Sequence, residues 1–118
     1  MILSFRDLEV YQDSYQLALQ VYAAVKAYPQ EERYGLTSQI QRAAVSIPAN
    51  LAEGFGKKES AAEFRRYVRM AMGSSNEIEV LLSISRDLGY LRENEARELI
   101  DKYIVVQKKL YNLAQRWE

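Results

Sequence analysis

The stretch from Leu36 to Gly54, LTSQIQRAAVSIPANLAEG, holds only two charged residues, Arg42 and Glu53, and has a proline, Pro48, in its interior. Read as a helix at about 100° per residue, it places Ile40, Ala43, Ile47 and Leu51 on one stripe. Ser38, Val45, Ala49 and Ala52 form a second stripe well away from the first. A chain of 118 residues buries one stripe in its own core, so the other is left in need of a partner. This segment therefore speaks to assembly before it speaks to any chemistry.

Three further helices separate at recognisable punctuation. The first is predicted from about Asp7 to Tyr28, ending before Pro29, whose ring disfavours helical geometry in the preceding residue. The third opens at Ser60-x-x-Glu63, a capping-box spacing, and closes at Gly89. The fourth starts near Asn94 as N-cap and runs to Trp117. Spacings of three and four residues recur along these segments: Leu8, Tyr11, Tyr15, Ala18, Tyr22 and Val25 in the first; Phe64, Val68, Ala71, Ser75, Ile78, Leu82 and Ser85 in the third; Ala96, Leu99, Tyr103, Val106, Leu110, Leu113 and Trp117 in the fourth. Such seams pack at shallow crossing angles. The connections are short and no strand-like alternation occurs. The expected fold is all-α, an antiparallel up-down four-helix bundle of one domain covering residues 1–118, with helix two kinked at Pro48.

Helix one repeats the double striping. Val10, Leu17, Val21, Ala24 and Tyr28 follow a second apolar spacing rotated by roughly 120° from the seam, while Glu9, Asp13, Gln16 and Gln20 supply the wet face. These residues either flank a wide monomeric core or form a self-association surface. Contiguous exposed apolar patches are rare on monomers, so the second reading is preferred. The expected oligomer interface is Val10, Leu17 and Val21 on helix one with Ser38, Val45, Ala49 and Ala52 on helix two.

Inside a helix, Pro48 removes one backbone hydrogen bond and its ring collides with the Ala44 carbonyl, at a cost on the order of 3 kcal/mol. Ser46 bonding back to the Arg42 carbonyl, and Asn50 satisfying a freed backbone group, are expected to offset part of this. Gln39, Arg42, Ser46, Asn50 and Glu53 fall within about 80° on one flank, a polar strip suited to a specificity network between subunits or to a small site.

Composition excludes most enzymes. Without histidine or cysteine there is no Ser-His or Cys-His nucleophile, no zinc site built on those ligands and no Glu-x-x-His di-iron arrangement. Glu77 and Glu79 are two apart and do not face each other on a helix. Gly54-Phe55-Gly56-Lys57-Lys58 lacks the GxxxxGK[ST] spacing of a phosphate loop. No catalytic residue, cofactor, metal or small-molecule substrate is expected. The absence of cysteine and of any membrane-length apolar run, together with early charges at Arg6, Asp7 and Glu9, gives a cytoplasmic expectation with no membrane partner.

The run QIQRAAVSIPANLAEGFGKK, with Pro29, Glu32, Tyr34, Gly35 and Leu36 upstream and Gly73-Ser74-Ser75-x-Glu77 downstream, resembles the 23S rRNA intervening-sequence protein family over nearly the whole chain. That family's four-helix bundles share their architecture with the accessory variability proteins of diversity-generating retroelements. The resemblance implies a barrel-like homopentamer, and it offers no catalytic residues to carry over. The retroelement proteins look strongly basic. This chain has 16 basic and 16 acidic residues and a net charge of zero.

Two function classes follow. One is an adapter that binds RNA, DNA or a nucleoprotein through Lys57, Lys58, Arg65, Arg66 and Arg69, a local excess of positive charge over Glu59 and Glu63. The other is a purely structural or protein-binding oligomeric scaffold. An opposite excess at Glu93, Glu95, Glu98 and Asp101 against Arg97 lets the same charges join subunits instead.

Overall fold

The computed structural model describes residues 1–117. Four helices, α1 (Glu9–Val25), α2 (Leu36–Phe55), α3 (Ala61–Asp87) and α4 (Glu93–Arg116), make up the chain with two short 3-10 turns, and no strand occurs among the described residues. α1 packs on α2 and α4, and α3 packs on α2 and α4, so α1 and α3 face each other diagonally. The molecule measures 44 × 25 × 19 Å.

Local chemistry sets the helix ends. Before α1, the Asp7 carboxylate accepts from the amides of Leu3 and Ser4 at 2.9 and 3.0 Å, and Ser4 Oγ accepts from the Arg6 amide at 3.2 Å. These bonds hold Phe5–Asp7 in a 3-10 turn, so α1 begins at Glu9 rather than Asp7. It ends at Val25, before the expected Tyr28, whose ring instead packs 5.3 Å from that of Tyr90. Ser60 caps α3 as expected, its Oγ accepting from the Glu63 amide at 3.2 Å. α4 starts at Glu93, one residue before the expected cap Asn94, because Glu95 accepts from the Arg92 amide at 3.2 Å. Gly89 has φ +82, the left-handed turn that ends α3 and that a side chain would strain.

The seams of α3 and α4 and the Ile40, Ala43, Ile47, Leu51 stripe of α2 form the core: every residue from Phe64 through Ser85 on the α3 seam is buried, as are Ala96 through Leu110 on that of α4. In α1 the core draws on both stripes: Ala18 and Val25 of the expected seam, with Leu8 just before the helix, are buried as expected. Val10, Leu17 and Val21, expected at a subunit interface, are buried in the chain's own core, while Tyr15 and Tyr22, expected in the seam, are exposed and Tyr11 is half-buried. The physical reason is the hydroxyl. Valine and leucine bury completely without an unmet polar atom, whereas each tyrosine turned to the core gives up its hydroxyl's hydration, a cost the fold bears at Tyr28 and Tyr103.

Polar pairs tie the helices in register. Ser46 and Ser74 hydroxyls bond each other across α2 and α3. Gln107 Nε2 donates to the Ser75 carbonyl at 3.3 Å and to Glu79 Oε2 at 3.1 Å across α3 and α4. Lys109 bridges Glu9 and Asp13 at 2.6 and 2.5 Å, and Lys102 donates to Gln20 at 3.2 Å, across α1 and α4.

Three buried polar atoms, the Tyr28 and Tyr103 hydroxyls and Trp117 Nε1, have no hydrogen-bond partner among the described residues, and that of Tyr103 lies deepest. Tyr103 is fully buried and its hydroxyl has no hydrogen-bond partner, and burial pushes that hydroxyl's pKa well up. Removing an unpartnered buried hydroxyl relieves its desolvation, so Tyr103→Phe is expected to raise stability by about 1 kcal/mol. A denaturant melt that shows destabilisation instead would mean that the hydroxyl is satisfied in solution.

Candidate functional site

An apolar groove of about 420 Å³ runs between α1 and α2. Phe5, Tyr11, Tyr15, Leu19 and Tyr22 form one wall, with Ala18 behind them. Val45, Ala49 and Ala52 form the other, and the Pro48 ring lies between the two. Leu19 is 54% and Val45 44% exposed, high for apolar side chains aligned along one groove. Aromatic packing stiffens the first wall: Phe5 meets Tyr11 edge to face at 4.9 Å, and Tyr11 lies 6.0 Å from Tyr15. The Val45, Ala49, Ala52 part of the expected surface is therefore on the outside, with Ala52 half-buried at the groove edge and Ser38 half-buried beyond it. Its α1 counterpart is Tyr11, Tyr15, Leu19 and Tyr22 rather than Val10, Leu17 and Val21. Leu19 was the signal to find it: an apolar residue between Gln16 and Gln20, on neither stripe of α1.

The polar strip divides in two. Gln39, Arg42 and Glu53 are exposed, whereas Ser46 and Asn50 are half-buried in the α2–α3 seam. Ser46 reaches the Ala43 carbonyl at 3.3 Å, not that of Arg42, and its other partner is Ser74. Asn50 Nδ2 donates to the Ser46 carbonyl at 2.8 Å, so it does not cap the Ala44 carbonyl that Pro48 leaves free. The Ser46 hydroxyl joins α2 to α3, while Asn50 bonds within α2.

The five expected nucleic-acid contacts sit together at the end of the bundle where α2 passes into α3, with unequal freedom. Arg65 is half-buried, its Nη1 donating at 2.8 Å to the Trp117 carbonyl, where it caps the end of α4. The Trp117 ring stacks on Phe64 at 4.1 Å, closing this end of the core. Arg66 pairs with Glu63 at 3.0 Å, which holds that carboxyl below the usual range, and lies over the Tyr67 ring. Lys57 and Lys58 lie over Tyr67 and Phe55 at 5.3 and 4.6 Å. Lys57, Lys58 and Arg69 are exposed and make no ion pair among the described residues.

No cluster of three or more metal-ligating side chains occurs among the described residues, and no helix there is long and apolar enough to cross a membrane. The site described is an open apolar groove on the surface of the bundle.

Comparison with known proteins places this architecture. No curated protein matches the chain. A crystal structure from Bacteroides thetaiotaomicron VPI-5482, described as a protein with unknown function from the S23 ribosomal protein family, superposes with a TM-score of 0.81. It is 22% identical, with 90% of this chain and 95% of that one covered, so the likeness is one of fold. Residues 6–112 match the family described as 23S rRNA-intervening sequence protein. With nearly its whole length matched, and the four-helix architecture in place, the chain belongs to the 23S rRNA-intervening sequence protein family.

Proposed function

We propose that this protein is a non-enzymatic, self-assembling scaffold: an up-down-up-down bundle, bent at Pro48, whose copies associate through the α1–α2 groove. The observation that carries this is the groove itself, where Tyr15, Leu19, Tyr22 and Val45 leave a continuous apolar surface open to water. Exposed apolar patches of this kind are usually interfaces. Pairs along α1 and α4 (Glu9–Lys109, Gln20–Lys102) and along α2 and α3 (Ser46–Ser74, Gly54–Tyr67) rise on one helix as they fall on the other, as antiparallel neighbours require. The number of copies proposed is five, as the family resemblance implies. Light scattering coupled to gel filtration is expected to return close to five times 13.7 kDa at micromolar concentration. A mass of one chain would overturn the reading. The same measurement on Pro48→Ala tests the bend: higher thermal stability with an unchanged mass would remove it from the account.

A second reading is a weak nucleic-acid contact by the assembled scaffold. It is favoured by one observation, the exposed cations Lys57, Lys58 and Arg69 at the same end of each copy, which make no ion pair among the described residues. Repetition in an oligomer turns a weak contact into a multivalent one. Labelled single-stranded RNA should then bind at low salt, weaken as salt rises, and release from a Lys57→Glu, Lys58→Glu variant. Equal binding by both proteins, or none at low salt, would leave the scaffold alone standing.

A further inference from the structure

Most of the outer face of α3 has no partner in the chain. Arg69, Gly73, Glu77, Val80, Ile84 and Leu88 follow one another at helical spacing, and all are exposed. Gly73 is the odd member. A glycine inside a 27-residue helix costs about 1 kcal/mol relative to alanine, and a Cβ added there would meet nothing within 4 Å, so the chain's own packing does not require it. A missing side chain on an exposed helix face leaves room for something to approach closely.

Heights along the bundle show what fits. Across α2 and α3, Ser46 lies level with Ser74, and Gly54 with Tyr67. By the same register at 1.5 Å per residue, Ala49 is level with Ala71 and Val45 with Ser75. Gln20 is level with Lys102, and Gln107 with Ser75 and Glu79, which puts Leu19 at the height of Val80 and Tyr22 at that of Ile84. The apolar upper half of the α3 ridge therefore matches Leu19 and Tyr22 in the groove, and Gly73 falls opposite Val45 and Ala49. The charges match as well. Glu53 stands near the height of Arg69, and Arg42 near that of Glu77, and none of these four exposed side chains makes an ion pair among the described residues.

We infer that the occupant of the α1–α2 groove is the α3 ridge of a second copy, seated with its helices pointing the same way as those of the groove. Charge selects the direction. Seated in the opposite direction, with Ile84 opposite Ala49, the ridge would keep Glu77 near Arg42 but carry Arg69 away from Glu53 and set Asp87, already paired with Arg86, beside Glu53 instead. Because groove and ridge are different faces of the same chain, the contact is heterologous, and repeating it in one direction generates a ring or an open filament rather than a two-fold dimer. Arg69 is then engaged by Glu53 of the next copy, which leaves Lys57 and Lys58 as the free cations on the rim.

This inference rests on the self-association reading above, and the test separates the two. The chain has no cysteine, so engineered pairs report cleanly, and a disulfide needs Cα atoms within about 7 Å. Leu19→Cys with Val80→Cys in one chain should yield, on oxidation, a ladder of cross-linked copies, while each single variant should yield none. Ala49→Cys with Ile84→Cys, which only the opposite seating would join, should also yield none. In a second arm, Glu53→Arg should weaken assembly by roughly tenfold, and adding Arg69→Glu should restore it. An oligomer in which Leu19→Cys alone forms dimers, or Ala49→Cys with Ile84→Cys forms the ladder, or Glu53→Arg tightens assembly, would overturn the ridge-in-groove contact and leave self-association intact. A monomeric wild type would overturn both. Should the cysteine pairs prevent assembly under reducing conditions, the charge reversal and its rescue decide.

Discussion

Gly54→Ala is expected to lower the melting temperature by roughly 10 °C. Gly54 is buried near the end of α2, where a Cβ would lie 2.6 Å from Tyr67 Cβ and 3.3 Å from its Cγ on α3. The obstacle is the root of a side chain fixed to a helix backbone, not a flexible tip, so relief requires α2 and α3 to separate. Overpacking of this kind costs about 1–3 kcal/mol, and the clash is severe enough to place it at the upper end, offset by up to about 1 kcal/mol of gained helix propensity. A net loss of about 2 kcal/mol corresponds to roughly 10 °C for a domain of this size. Gly54→Val should be worse, since two further methyl groups enter the same gap. Thermal melts by circular dichroism at fixed protein concentration check both, and an unchanged midpoint would mean the two helices are not in contact there.

Val45→Glu is expected to reduce the mass of the assembly to 13.7 kDa while leaving the helical content unchanged. Val45 stands on the groove wall with nearly half its surface in water, so in an isolated chain a glutamate there remains solvated and shifts fold stability by no more than about 0.5 kcal/mol. Buried against a second copy, where Gly73 faces it and Glu77 lies one turn on, the same carboxylate would be desolvated beside a like charge, and such a charge at an interface costs several kcal/mol. Val21→Glu provides the contrast. Val21 is fully buried in the core, so that variant should unfold the bundle rather than dissociate it. Light scattering and circular dichroism on one sample of each separate loss of assembly from loss of fold. A Val45→Glu protein of unchanged mass would take the groove out of the interface.

The contrast between Val21 and Val45 also marks how far the sequence reaches. Periodicity was enough to place the core stripe of α2 and the seams of α3 and α4, because the bulkiest apolar side chains of those helices, such as Ile40, Ile47 and Leu51 on α2, recur on the one face that is buried. Capping chemistry placed the start of α3 at Ser60, and Gly89 marked its end, since both act through bonds or backbone angles within a few residues of themselves. The choice between the two apolar stripes of α1 was beyond periodicity. Both have helical spacing, and what selected Val10, Leu17 and Val21 was the shape of the space left by α2 and α4 together with the cost of burying the tyrosine hydroxyls of the other stripe. The basic end divided in the same way. Five cations within thirteen residues are evident in the sequence, but that Arg65 caps α4 through the Trp117 carbonyl, 52 positions away, depends on where the last helix returns. Spacing along a chain determines which residues share a face; which face is covered, and by what, is decided only when the other helices arrive.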